Sequence, residues 1–156
     1  MVFDFGVGVK LGKATGLAVD GMFTKYRPLA GFGSPGGIVN REVQPFGWRN
    51  VWTIKAGLQH QLTEKLTVRG GYNYSQMPLV PEKVISATGA PATFQHHFCG
   101  GAGFKMFPFL TAEVSAYYVP RQHVVGPFPD LDNNVLGTLD ESNSLKSVLI
   151  GLNFRF

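Results

Sequence analysis

The residues best equipped for chemistry in this chain stand in "QHHFCGG", where His96, His97 and Cys99 crowd together. Imidazoles beside a thiol suggest a metal or a nucleophile. In an extended segment, however, adjacent side chains point to opposite faces, so only His97 and Cys99 share one. Two ligands fall short of the three or four protein ligands a zinc site uses. Cys99 is the single cysteine, which excludes an internal disulfide. A second stretch, "GVGVKLGKAT" (6–15), is glycine-rich but is no phosphate loop: the glycine spacing fails, and Ala14 follows Lys13 where Ser or Thr is needed. "NYS" (73–75) matches a glycosylation acceptor but lies inside an alternating segment, where it carries no weight. No nucleophile–base pair or carboxylate dyad has supporting context. The expectation is a protein that is not an enzyme and needs no metal or cofactor.

Composition narrows the class. Charged residues make up 15% of the 156, with 20 glycines and 13% aromatics. Soluble proteins carry about 25% charge, so this balance points to β structure with unusually little water-facing surface. The net charge of +4 is spread without a basic run, which argues against a nucleic-acid partner. No apolar run approaches the roughly 18 residues of a membrane-spanning helix. Met1 opens no signal peptide, because a charged leader is missing and Asp4 interrupts the first apolar stretch.

The elements that must position these residues are strands. Seven segments alternate with period two: 2–11, 16–26, 51–61, 66–75, 94–106, 110–118 and 147–156. In the first, Phe3, Phe5, Val7, Val9 and Leu11 oppose Asp4, Gly6, Gly8 and Lys10. The last, "SVLIGLNFRF", sets Val148, Ile150, Leu152, Phe154 and Phe156 against Gly151, Asn153 and Arg155. These runs exceed the five or six residues usual for soluble strands. They match the roughly 9–11 of a tilted transmembrane strand.

Connections alternate in length. "GKAT", "LTEK" and "FPF" are tight, whereas 27–50, 76–93 and 119–143 are long and hold most of the prolines. Short turns at one end and long loops at the other describe an outer-membrane barrel, with short turns and the C-terminus in the periplasm. Backbone groups in lipid must be paired internally, so without a helical candidate only a closed barrel can span. The apolar parity then faces lipid. The charges Asp4, Lys10, Asp20, Lys55, Arg69, Lys105, Glu113 and Arg155 fall on the lumen parity. Trp52, Tyr72, Tyr74, Phe94, Tyr118, Phe154 and Phe156 fall near strand ends on the lipid parity, where aromatic girdles sit. Alternation alone also fits a soluble lipocalin-like barrel, apolar inside and polar outside. A small complete eight-stranded barrel would need one more strand, for which "GGIVNREVQPF" (36–46) is the only candidate.

The second half resembles the C-terminal part of the FadL/TodX family, outer-membrane transporters of long-chain fatty acids and other hydrophobic compounds. The resemblance lies in "GWRNVWTIKAGLQHQLTEKLTVRGGYNYSQMPLVP" (47–81), "APATFQHHFCGGAGFKM" (90–106) and the closing "GLNFRF" (151–156). It implies an all-β, antiparallel transmembrane barrel, of which these seven strands form the C-terminal half of 14, with the hatch outside the chain. It also implies outer-membrane lipid, a hydrophobic small molecule, the N-terminal half of the barrel and the barrel-assembly machinery as partners. Phe156 resembles the C-terminal aromatic by which such barrels are recognised for assembly.

The family holds ligand in an apolar pocket under the loops, with basic groups meeting a carboxylate. Its ligand-binding lysine falls at about Gln44 here, a departure. Arg41 or Arg49 could substitute, Arg49 standing beside Phe46 and Trp48 at the start of the third strand. Arg69 matches the family's strand arginine. It could serve ligand, or pair inside the lumen with Glu113 or Asp20, since buried charges are usually paired.

Overall fold

The computed structural model describes residues 1–33 and 35–155. Seven strands form one antiparallel sheet in chain order: β1 (Val2–Leu11), β2 (Thr15–Thr24), β5 (Val51–Gln61), β6 (Leu66–Ser75), β7 (His96–Phe107), β8 (Leu110–Pro129) and β9 (Val135–Phe154). Between β2 and β5, β3 (Ile38–Val39) and β4 (Glu42–Val43) make a separate small hairpin. A 3-10 helix spans Pro81–Ala87. Every alternating segment is a strand, and β1, β5 and β6 coincide with theirs residue for residue.

The period-two pattern sorts onto two unlike faces. The convex face carries the apolar parity, with Phe5, Val7, Val19, Ile54, Val114, Val148 and Ile150 all exposed. The concave face carries Lys10, Asp20, Lys55, Gln59, Arg69, Asn73 and Glu113. That is the reverse of a lipocalin, and it leaves the sheet without an apolar core. Tight turns join β1–β2, β5–β6 and β7–β8 at one end, where Phe154 of β9 also pairs with Leu110. The long connections gather at the other.

Three expectations change. The stretch 119–143 is not a loop: β8 and β9 run for 20 residues each and stay paired up to Pro129 and Val135. Its prolines read as breakers, yet a strand tolerates them at a bulge or beside a free edge. Pro120 lies in the bulge between Val119 and Gln122, and β7 pairs with β8 only as far as Tyr118. The candidate eighth strand becomes the β3–β4 hairpin instead. Its turn residues Asn40 and Arg41 take φ of 52° and 65°, as a two-residue hairpin turn of matching twist requires. Phe94 precedes β7 and stands edge-on to His97 (6.3 Å) rather than joining the aromatic row. The remaining row is present: Phe23 meets Trp52, Tyr72 meets Phe98, and Phe98 meets Tyr118. Phe156 lies outside the described residues. Among those residues β1 pairs only with β2 and β9 only with β8, so both edges are open and the barrel is not closed.

Among the described residues, the apolar core cluster lies at the long-loop end. Met77, Leu79, Val84, Ala87 and Val124 pack together, with Trp48 and Leu139 against them. This cap joins the 76–95 loop and its 3-10 helix to the projecting part of β8 and β9. Gly126 permits the contact: a Cβ there would run into the carbonyl oxygen of Pro81 and meet Val84.

Candidate ligand site

Two regions can hold a ligand, a polar trough in the sheet and an aromatic nest beneath the cap. The trough is the concave face, a space of about 1190 Å³. Glycines on that parity, including Gly8, Gly57, Gly71 and Gly101, leave room for the long side chains of their neighbours. Asp20 faces Lys55 across the β2–β5 register. Arg69 donates from Nε to Gln59 Oε1 (3.0 Å) and from Nη1 to Glu113 Oε1 (3.2 Å). It is thus an ion-pair partner of Glu113, one of the two alternatives the sequence left open. The two side chains are 47% and 39% exposed, so in water such a pair contributes no more than about 1 kcal/mol.

His96 and His97 face opposite ways, as strand geometry demands. His96 accepts or donates at Nδ1 with Tyr72 Oη (2.7 Å) on the convex side. His97 Nδ1 bonds Tyr117 Oη on the concave side, where Cys99 lies opposite Tyr117 in register. Among the described residues no three His, Cys, Asp or Glu side chains converge as metal ligands.

The aromatic nest forms where the chain leaves β2 and approaches β5. Phe46 and Trp48 stand 4.9 Å apart between ring centres. Phe32 lies 5.2 Å from Trp48 and 5.8 Å from Phe46, and Tyr26 meets Trp48 edge-on at 5.2 Å. Gly47 separates the two rings with φ of 62°, a left-handed conformation that glycine adopts without strain. Trp48 Nε1 is buried and has no hydrogen-bond partner among the described residues. An indole N–H so placed is a donor awaiting an acceptor.

The five basic and aromatic candidates divide sharply, with Arg69 held in the trough by Glu113. Phe46 and Trp48 come together in the nest. Arg49, next in the chain, is exposed; its Nε donates to Met77 O (2.8 Å), and no described carboxylate pairs with it. Arg41 instead reaches Asp132 Oδ1 (3.1 Å) at the tip of the β8–β9 hairpin. Gln44, where the resemblance leads one to expect a lysine, turns its amide back onto the carbonyls of Val39 and Glu42. Sequence reasoning missed Tyr26 and Phe32. Tyr26 precedes the stretch "GFGSPGG" (31–37) and Phe32 lies within it, and the tertiary path of this long connection brings both to Trp48.

A curved antiparallel wall, apolar outside and polar within, with its long connections folded over one end, defines a section of a barrel. Among solved structures it is similar to the toluene transporter TodX of P. putida, with a TM-score of 0.65 and 15% identity, covering 99% of this chain and 34% of that one. It is also similar to a FadL homologue of Pseudomonas aeruginosa, with a TM-score of 0.57 and 16% identity over 96% of this chain and 33% of the other. The chain therefore has the fold of part of a FadL-type barrel and spans about a third of these chains' length. No protein-family model matches the sequence, and no curated protein sequence does.

Proposed function

We propose that this chain forms the C-terminal half of a 14-stranded outer-membrane barrel that takes up hydrophobic compounds. The observation that carries this is the fold shared with the TodX barrel over 99% of the chain. Supporting it, the convex face is apolar and exposed along every strand, a surface that suits lipid and not water. The short-turn end is periplasmic, the cap extracellular, and Phe156 the assembly signal.

Strand parity constrains what completes the wall. Seven alternating strands leave β1 and β9 running the same way. A second copy in the same orientation would meet these edges parallel. Antiparallel closure needs an odd number of further strands, and an N-terminal half of seven satisfies it.

Ligand is met first at the nest. Tyr26, Phe32, Phe46 and Trp48 take its apolar body, Trp48 Nε1 donates to a polar atom, and Arg49 meets a carboxylate where one is present. Arg41 and Arg69 are already engaged with Asp132 and Glu113, which favours Arg49 over both. Burial on aromatic rings contributes roughly 25 cal/mol per Å² of apolar area.

The test uses the protein as it occurs in its membrane. In a Trp52→Phe background, Trp48 reports binding of a long-chain fatty acid or an aromatic hydrocarbon. Phe46→Ala weakens binding of both by about tenfold, as loss of a buried aromatic contact predicts. Arg49→Gln weakens only the fatty acid. Fatty-acid binding untouched by both substitutions refutes the nest as the ligand site.

A further inference from the structure

The convex face at the long-loop rim carries cations that no carboxylate among the described residues claims. Lys146 of β9 lies over the ring of Tyr118, its Nζ 5.7 Å from the centroid. The two residues are cross-strand partners at the level where β7 last pairs with β8, through Phe98 and Tyr118. This is the edge of the aromatic row. Just beyond it, Arg121 sits exposed in the bulge between Val119 and Gln122. His123 follows opposite Ser142, on the Lys146 face of β9. The acidic group on this face, Asp140, is engaged with His123 (3.4 Å). Glu141 belongs to the opposite parity, beside Val124 and the cap. Across the sheet, Lys25 repeats the motif over Phe3, with its Nζ 5.6 Å from the centroid. Among the described residues Lys25, Arg121 and Lys146 form no ion pair.

We propose that the rim of β8 and β9, through Arg121 and Lys146 with Tyr118 beneath them, binds the phosphate groups of a phosphorylated glycolipid in the outer leaflet. The geometry suits that ligand in two ways. An aromatic belt marks the boundary of the hydrocarbon, so cations one step above it lie at headgroup depth. Basic side chains there attract anionic headgroups, and each adds to affinity. Arg121 presents a planar fork that bridges phosphate oxygens, while Lys146 supplies a point charge. Tyr118 packs on acyl chains below. Lys25 marks a second, weaker contact of the same kind on the β2 side.

This inference rests on the membrane reading above, and the test separates the two. The detergent-solubilised protein, checked for heat-dependent gel migration as a sign of a folded barrel, is titrated with bisphosphorylated lipid A and with its dephosphorylated form, and bound lipid is counted by native mass spectrometry. The phosphorylated lipid binds preferentially. Arg121→Gln with Lys146→Gln lowers its affinity by roughly tenfold or more. Lys13→Gln with Lys65→Gln, the same loss of charge at the short-turn end, leaves it unchanged. If the double rim variant does not fold, Lys146→Gln against Lys146→Arg carries the comparison, with binding lost in the first and kept in the second. Equal affinity for the dephosphorylated lipid, or wild-type binding by a folded rim variant, overturns the proposal. Recovery as a soluble species without detergent would instead remove the membrane reading on which it stands.

Discussion

Wall and cap use the same apolar side chains in opposite ways. In the wall, Val7, Ile54 and Ile150 are 67%, 57% and 84% exposed; in the cap, Leu79, Val84 and Val124 are 2%, 0% and 6% exposed. Strand pairing fixes the wall: every strand of the seven-stranded sheet but the two edges is hydrogen-bonded on both sides, and in the proposed barrel lipid, in place of a core, would solvate its outer surface. The cap buries its own apolar side chains, and in the same proposal water would surround it, so burial must hold it together. One chain therefore contains a region that needs no core and a region that depends on a small one. A substitution from large to small should then hurt the cap and spare the wall, while an added charge should do the reverse.

The largest effect falls on the cap. Leu79→Ala opens a cavity beside Val84 and Val124 and costs about 2–5 kcal/mol. Because the sheet shares little of this core, the loss appears locally: amides of 76–95 exchange faster with deuterium while those of β5 and β6 stay protected. Uniform loss of protection would show that wall and cap unfold as one unit.

Nearly as large is Val19→Lys, at the middle of β2 on the convex face. In the proposed barrel a lysine at the bilayer midplane costs about 2–4 kcal/mol, whereas at an exposed position in water it costs almost nothing. Folding of the variant into liposomes, followed by denaturant titration, reads the difference. Ala18→Lys, one residue away on the other parity, meets the concave trough instead and serves as the contrast. Equal stability of Val19→Lys and the wild type would place that face in water.

Much of the wall was legible in the sequence because a two-faced strand writes its environment directly into alternate residues. β1, β5 and β6 needed nothing beyond that pattern. The projection of β8 and β9 was hidden by Pro120, Pro127 and Pro129, whose cost depends on edges and bulges that only the assembled sheet defines. The nest was half legible. Phe46 and Trp48 were visible as aromatics before a strand, but Tyr26 and Phe32 join them through the tertiary path of a loop, which no local period encodes. The partners of the arginines were legible only for Arg69, where strand parity limited the choice to Glu113 or Asp20. Arg41 met Asp132 through two turn tips 91 residues apart in the chain, as hairpin geometry and not pattern dictates.

The smallest effect probes the outer tip of the cap, where water screens every charge. Asp130 Oδ2 accepts from Asn134 Nδ2 (3.0 Å), and Oδ1 accepts the backbone N–H of Asn134 (2.9 Å) and of Asp132 (2.8 Å). The side-chain bond from Asn134, then these backbone bonds, with Arg41 nearby, hold its carboxyl below the ordinary value of 3.8. A carboxyl lowered on folding contributes stability above its unfolded value, and that contribution fades as pH falls through the lower, folded one. At neutral pH the tip is therefore fully tied, and it loosens only in acid more extreme than an ordinary aspartate would require. Titration of the Asp130 carboxyl carbon by NMR should give a midpoint below 3.8, and Asn134→Ala should return it toward that value. A midpoint at or above 3.8 in the wild type would mean the three bonds do not hold the ionised carboxylate, and the tip of β8–β9 would owe its order to strand pairing alone.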